Sequence, residues 1–330
     1  MKRCTLVVSA LALFTILVLT AHGQQPAPAK QPLQLADVLA WQTVRGVSLS
    51  PDGKWFGYRL AAQEGDSEVI LRETQTEVEK RFPAGEAKGL LGGDVTFSED
   101  SKWFAFRTMP PAKKNKEKDK EKDEDKTTGT APPGASEAKD KDKGEKLVLV
   151  ELPGGTRHEF EKVRRFVFSP KGTGWLALHM SPSGAPAAPA APLTLPRPGA
   201  PADEGAADKS PGADLILREL ATGQEISIGN VADFAFDKNG ERLALVIEAQ
   251  NQSGNGVQLR HLATSVQISL DSGKASYKGL TWTEKGDALA VLKGVDDKEY
   301  EGKLYRVLGF TDLAGKPAKV VYDPKGDSTF

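Results

Sequence analysis

One thirteen-residue pattern is written into this chain five times, and that repetition constrains the fold more than any other feature. The copies are "VSLSPDGKWFGYR" from Val47, "VTFSEDSKWFAFR" from Val95, "FVFSPKGTGWLAL" from Phe166, "FAFDKNGERLALV" from Phe234 and "LTWTEKGDALAVL" from Leu280. Each reads as an alternating strand, a polar turn and a second strand. In the first turn Pro51 presets the backbone, Asp52 bonds locally, and Gly53 takes the positive φ required next. Gly172, Gly240 and Gly286 stand in the same place, and Ser101 replaces glycine in the second copy, which predicts a slightly strained or reshaped turn there.

The second strand carries a small residue at its centre in every copy: Gly57, Ala105, Ala177, Ala244 and Ala290. It is flanked by bulky residues, Phe56 and Tyr58 in the first copy and Leu289 and Val291 in the last. Side chains alternate faces along a strand. One face is therefore bulky and the other small, as a sheet packed closely between neighbours requires. A third strand comes next in each unit ("EVILRE", "KLVLVE", "DLILRE", "GVQLRH", "GKLYRV"), then a weaker fourth such as "QEISI" or "AKVVY". Four antiparallel strands recurring every 46 to 48 residues, the distances from Phe234 to Leu280 and from Val47 to Val95, describe an all-β chain built as a β-propeller of about five four-stranded blades. Helical periodicity is absent after Trp41; "LQLADVLAW" before the first blade has room for one or two helical turns.

Two intervals are longer. They are 71 residues from Val95 to Phe166 and 68 from Phe166 to Phe234. The extra length is a Lys, Glu and Asp run over 110–146 and an Ala, Pro and Gly run over 181–213. Neither can bury enough apolar surface to offset the entropy of ordering it, so both are expected to be disordered loops. Both fall between the second and third strands of a blade, which places them on one side of the propeller.

The N-terminus reads as a targeting segment. Lys2 and Arg3 precede an apolar run from Leu6 to Ala21, and Ala21 and Gly23 suit a signal peptidase. The expected organisation is a signal peptide over 1–23, a lead-in over 24–40 and a partial propeller over 41–330, exported to the periplasm or beyond. No membrane partner is expected after cleavage. Cys4 is the only cysteine and leaves with the signal, so packing alone must hold the mature chain. A net charge of -1 gives no reason to expect a nucleic-acid partner.

The search for chemistry is mostly negative. His158, His179 and His261 stand apart from one another and from paired carboxylates, and are read as surface or edge histidines. No G-x-S-x-G elbow and no phosphate-cradling loop occur. The Asp52 and Asn239 turns lack a calcium ligand series. No catalytic, cofactor-binding or metal-binding residue is assigned. Trp55, Trp103, Trp175 and Trp282 are read as blade packing before a carbohydrate platform. Arg72, Arg218, Arg260 and Arg306 recur on the third strand; ion pairing is favoured over arginines that line a channel and read a peptide carboxylate.

With "LADVLAWQTVRGVSLSPDGKWFGYRLAAQEGD" in view, the chain from Leu35 to Phe330 resembles the start of secreted bacterial peptidases of the prolyl oligopeptidase family. The resemblance implies a propeller that filters peptide substrates by size ahead of an α/β-hydrolase domain carrying a Ser, Asp and His triad. No residue here matches that triad. The expectation is therefore a fragment of such an enzyme, whose missing partners are the hydrolase domain and further blades, and which self-associates through open propeller edges. The competing reading is a non-catalytic, TolB-like envelope propeller that binds a partner protein.

Overall fold

The computed structural model describes residues 34, 41–62, 65–87, 95–112, 144–182, 212–297 and 302–326. The expected signal segment, most of the expected lead-in and the greater part of both insertions lie outside them. The chain divides into two units, Met1–Trp41 and Gln42–Phe330, and every described strand belongs to the second.

That second unit is five antiparallel four-stranded blades in chain order. Blade 1 is β1 (Gln42–Leu49), β2 (Trp55–Ala62), β3 (Asp66–Glu73) and β4 (Glu79–Glu86). Blade 2 is β5 (Val95–Phe97), β6 (Trp103–Thr108), β7 (Lys146–Glu151) and β8 (Arg157–Glu161). Blade 3 opens with β9 (Val163–Phe168), β10 (Trp175–Met180) and β11 (Ala213–Glu219). Its fourth strand is the first half of β12 (Glu225–Phe236), whose second half is the first strand of blade 4. Blade 4 continues through β13 (Arg242–Ile247), β14 (Gly256–His261) and β15 (Gln267–Ser272), so blades 3 and 4 form one seven-stranded sheet. Blade 5 is β16 (Ser276–Trp282), β17 (Leu289–Asp296), β18 (Lys303–Thr311) and β19 (Ala318–Tyr322). First strands of neighbouring blades touch, β1 with β5 and β12 with β16, which makes them the inner strands.

Two sequence expectations shift here. The first strand of blade 1 begins at Gln42, ahead of the Val47 that opens the repeat, because a bulge between Arg45 and Ser48, with Gly46 at φ 55, lets the strand continue inward. Arg306 does not share the place of Arg72, Arg218 and Arg260. Those three face Phe56, Leu176 and Leu243, whereas Arg306 faces Lys293; the residue opposite Leu289 is Phe310. Blade 5 has a longer hairpin, and its third strand enters four residues earlier.

The core lies between blades. On each blade the small second-strand residue and its third-strand partners form a hollow, and the bulky pair of the next blade fills it. Val69 and Leu71 of blade 1 receive Phe104 and Phe106. Ala105, Leu147 and Leu149 receive Leu176 and Leu178. Ala177, Leu215 and Leu217 receive Leu243 and Leu245. Ala244, Val257 and Leu259 receive Leu289 and Val291. These side chains are buried almost completely. A Cβ added at Gly57 would stand 2.4 Å from the Phe104 ring, so the smallness read in the sequence is a demand of the neighbouring blade. Ala244→Leu is accordingly expected to cost about 1–3 kcal/mol by overpacking; chemical denaturation checks it, and a stability equal to the parent would place that face against solvent.

The tryptophans obey the same logic. Trp55 and Trp103 are buried, and Trp282 donates its indole N–H to the Ala235 carbonyl of blade 4 at 3.2 Å.

The polar turns join end to end. The Asp52 amide donates to Ser101 Oγ at 3.0 Å, Lys171 bonds both Glu99 and Asn239, and Asn239 Nδ2 donates to the Lys285 carbonyl at 2.9 Å. Ser101 keeps the glycine-like shape at φ 60. The hydroxyl that accepts the Asp52 amide explains a serine where glycine would be easier. At Gly240 (φ 69) the demand is twofold, since a Cβ would also lie 2.4 Å from the Pro170 carbonyl oxygen of the neighbouring turn.

Candidate functional site

Beneath the apolar layer, a second set of inter-blade contacts uses charge. The fifth residue of the second strand is Arg59, Arg107 or His179 in blades 1 to 3, and each donates to main-chain carbonyls of the next blade. Arg59, buried completely, reaches the Arg107 carbonyl and Ser67 Oγ. Arg107 donates to the carbonyls of Val163 and Arg164, both at 2.8 Å, and pairs with Glu145. His179 Nε2 meets the Val231 carbonyl at 2.8 Å. In blade 4 the position is Val246, and Asn255 substitutes, donating to the Ala275 carbonyl at 2.9 Å. Next to it, Asp271 accepts from the Tyr277 hydroxyl and from Lys293 and Lys319 of blade 5, at 2.7, 2.7 and 2.9 Å. Burial would raise the Asp271 pKa, but these three donors outweigh it and hold the carboxyl below its ordinary range. Burial and the same carboxylate push the Tyr277 hydroxyl up.

This corrects the reading of His179 as a surface or edge histidine. It is 5% exposed, packs edge-on against Phe234, and closes the junction of blades 3 and 4. The sequence could not show it, because its carbonyl partner lies 52 residues away. Burial lowers its pKa; Arg164 and Arg165 add to that, while the Val231 bond and Asp233 oppose it. The folded state therefore holds His179 neutral. Below its ordinary pKa of 6.5 the unfolded chain binds a proton that the folded chain resists. The stability it contributes is present above 6.5 and is lost as pH falls through the lower folded value. His179→Gln, which keeps a donor without titrating, is expected to flatten the decline in melting temperature between neutral pH and about pH 5. Superimposable pH curves for parent and variant would contradict it.

His158 lies half-buried near Trp103, with ring centroids 6.2 Å apart. His261 is half-buried opposite Arg242. The third-strand arginines sit away from the inner strands. Arg218 pairs with Glu225 at 2.6 Å, Arg260 bonds Gln267 at 3.2 Å and Arg306 pairs with Asp323 at 2.7 Å; Glu225 and Gln267 lie on the fourth strands of their own blades, and Asp323 directly after the fourth strand of blade 5. At these three positions the bonding is local, as the ion-pairing reading expects.

The turn carboxylates are occupied locally. Asp52 accepts from Ser50 Oγ at 2.6 Å and from the Lys54 amide at 3.1 Å; the hydroxyl bond is the leading reason its pKa is lowered, and burial opposes it. Among the described residues no three His, Cys, Asp or Glu side chains gather as a metal site, and no helix is long and apolar enough to cross a membrane.

Among the described residues, a cleft of about 540 Å³ lies on blade 3, between the described ends of the second insertion and the start of β9. Lys162, Ser181, Asp214, Ser227, Asn230 and Gln250 bring one cation, one carboxylate, two hydroxyls and two amides to its wall. Such groups match the donors and acceptors of a peptide main chain. None forms a nucleophile–base pair. The cleft was not legible in the sequence, since its wall combines short stretches more than 60 residues apart, from Lys162 to Asn230.

No family model matches this chain, and no curated protein matches it. Solved structures do. TolB from Acinetobacter baumannii is 11% identical, with 86% of this chain and 55% of that one covered and a TM-score of 0.33. A structure from a study of two prolyl endopeptidases is 15% identical, covering 87% and 37%, with a TM-score of 0.41. The β-propeller domain of the Trilobed protease from Pyrococcus furiosus is 8% identical, covering 87% and 73%, with a TM-score of 0.40. The chain thus spans about half of TolB and little more than a third of the prolyl endopeptidase. The propeller assignment stands on this chain's own blades, their order and the way each fills the next.

Proposed function

We propose that this chain is the non-catalytic, substrate-gating propeller of an exported serine peptidase resembling prolyl oligopeptidases, and that an α/β-hydrolase domain supplies the chemistry. The observation that carries this reading is the cleft on blade 3, which has the hydrogen-bonding groups to hold a peptide and, among the described residues, no nucleophile–base pair to cut it. Both insertions support it. One leaves between β6 and β7 and the other between β10 and β11, so equivalent hairpins of adjacent blades frame one side of the molecule, and the cleft opens there. The lead-in and the "SPDG" blade, which resemble the start of the peptidase family, support it as well.

The test has two arms. A fluorophosphonate probe is expected to label no serine of this chain, and the reading frame that encodes it is expected to connect with a region bearing G-x-S-x-G. Labelling would overturn the non-catalytic assignment. A locus without a hydrolase region, together with capture of an envelope protein by the purified chain, would replace this reading with the TolB-like one.

A further inference from the structure

Positive φ at a residue other than glycine occurs at seven of the described residues. Five of them, Ser101, Lys171, Gln252, Ser265 and Asp312, lie in hairpins within one blade, where positive φ closes the turn. The other two, Lys162 (φ 58) and Asn230 (φ 57), lie where the chain passes from one blade to the next. Their places are equivalent. Each stands just ahead of a bulge in an inner strand, between Val163 and Arg165 or between Val231 and Asp233. The Lys162 carbonyl accepts the Ser181 amide at 2.7 Å, and the Asn230 carbonyl accepts the Glu248 amide at 2.8 Å. Asparagine tolerates this backbone, but lysine gains nothing from it, and glycine would meet it with less strain. Both residues line the cleft on blade 3. The backbone there is tightly fitted, since a Cβ on Gly212 would stand 2.2 Å from the Asn230 carbonyl oxygen.

We propose, on the reading of this cleft as a peptide site, that the Lys162 ammonium binds a carboxylate of the peptide and so fixes which way the peptide lies. Lys162 is exposed and, among the described residues, has no ion pair and no side-chain hydrogen bond. The same holds for Asp214, the carboxylate of the cleft. The two do not pair with each other. Lys162 immediately precedes β9 and Asp214 lies on β11, with β10 between, so their backbones are about two strand spacings, or about 10 Å, apart. A peptide carboxylate is drawn to the first and repelled by the second. Its place is therefore over the start of β9, with the rest of the peptide crossing β10 toward β11. One ammonium is a point charge that suits a monoanion, and the Asn230 amide, at the equivalent place, adds a donor and an acceptor for the main chain. The strained backbone at Lys162 thus holds a cation where glycine would hold none. The carboxylate is supplied by the peptide's C-terminus or by an acidic side chain.

Three peptides titrated into the full chain at low salt, with binding read by NMR, test this: N-acetyl-tetraalanine amide, N-acetyl-tetraalanine as the free acid, and N-acetyl-Ala-Ala-Asp-Ala amide. A peptide with a carboxylate is expected to bind about fivefold more tightly than the uncharged amide, the scale of one exposed ion pair. Tighter binding of the free acid assigns the carboxylate to the C-terminus, and tighter binding of the aspartyl peptide assigns it to a side chain. Lys162→Gln is expected to abolish the preference and Lys162→Glu to invert it, while each leaves the affinity for the uncharged amide unchanged. Lys162→Gly suits φ 58 and is expected to keep the parent's circular dichroism while losing the preference. A preference that survives in Lys162→Gln or Lys162→Gly would overturn the proposal. So would equal binding of all three peptides by the parent, an outcome that leaves the peptide reading of the cleft standing. Binding of none of them would overturn both.

Discussion

Phe104→Ala is expected to destabilise the chain by about 3–5 kcal/mol, the cost of emptying a fully buried aromatic site. Phe104 is 0% exposed and stands in the hollow of blade 1, where its ring contacts the place a Gly57 side chain would occupy. Its ring centre lies 4.8 Å from that of Phe97 and 5.5 Å from that of Phe106, so truncation removes two aromatic contacts along with the burial. Collapse cannot refill the space easily, because Val69 and Leu71 are held by strand pairing on both sides. Phe56→Ala, at the equivalent place on the partly exposed face of blade 1, is expected to cost about 1 kcal/mol, in proportion to the smaller area it removes from water. Urea titration monitored by circular dichroism compares the two. Equal losses would show that blade 1 and blade 2 do not pack in the register described.

Arg59→Ala is expected to be nearly as damaging, at about 2–4 kcal/mol, by combining lost charged hydrogen bonds with lost packing. The guanidinium is completely buried and serves blade 2 through the Arg107 carbonyl and blade 1 through Ser67 Oγ. Ser67 in turn donates to the Gly85 carbonyl at 2.7 Å, so the same network reaches β4. Arg59→Met keeps the aliphatic stem and loses only the donors. If hydrogen bonding dominates, Met and Ala should be about equally harmful. If packing dominates, Met should recover most of the loss. A parent-like melting curve for Arg59→Ala would refute the latch.

The strand and turn plan was legible because it depends on short-range rules. Alternation of faces, a turn that needs positive φ, and a small residue between two bulky ones are all decided within about a dozen residues, and five copies made the pattern unmistakable. Even Ser101 could be singled out, although only the fold shows that the Asp52 amide of the neighbouring turn is what its hydroxyl serves. The misplacement of Arg306 shows the limit of the same reasoning. "GKLYRV" resembles the third strands in composition, but pairing register decides the match, and the longer hairpin of blade 5 slides that strand by four residues.

By itself the sequence determined the class of fold, the approximate edges of its blades, the sites of its two insertions and the lack of a hydrolase nucleophile motif. Each of these comes from local periodicity, turn chemistry or motif spacing. Only the tertiary structure decided that β12 serves two blades, that Arg59, Arg107 and His179 are latches, and that a cleft opens on blade 3. For the latches the physical reason is distance along the chain. These features depend on which carbonyl or side chain of the next blade comes within bonding distance, and the partners lie about 50 residues or more along the chain. Alternation can say that a residue faces a neighbour, but the packing of one blade against the next settles what that neighbour offers.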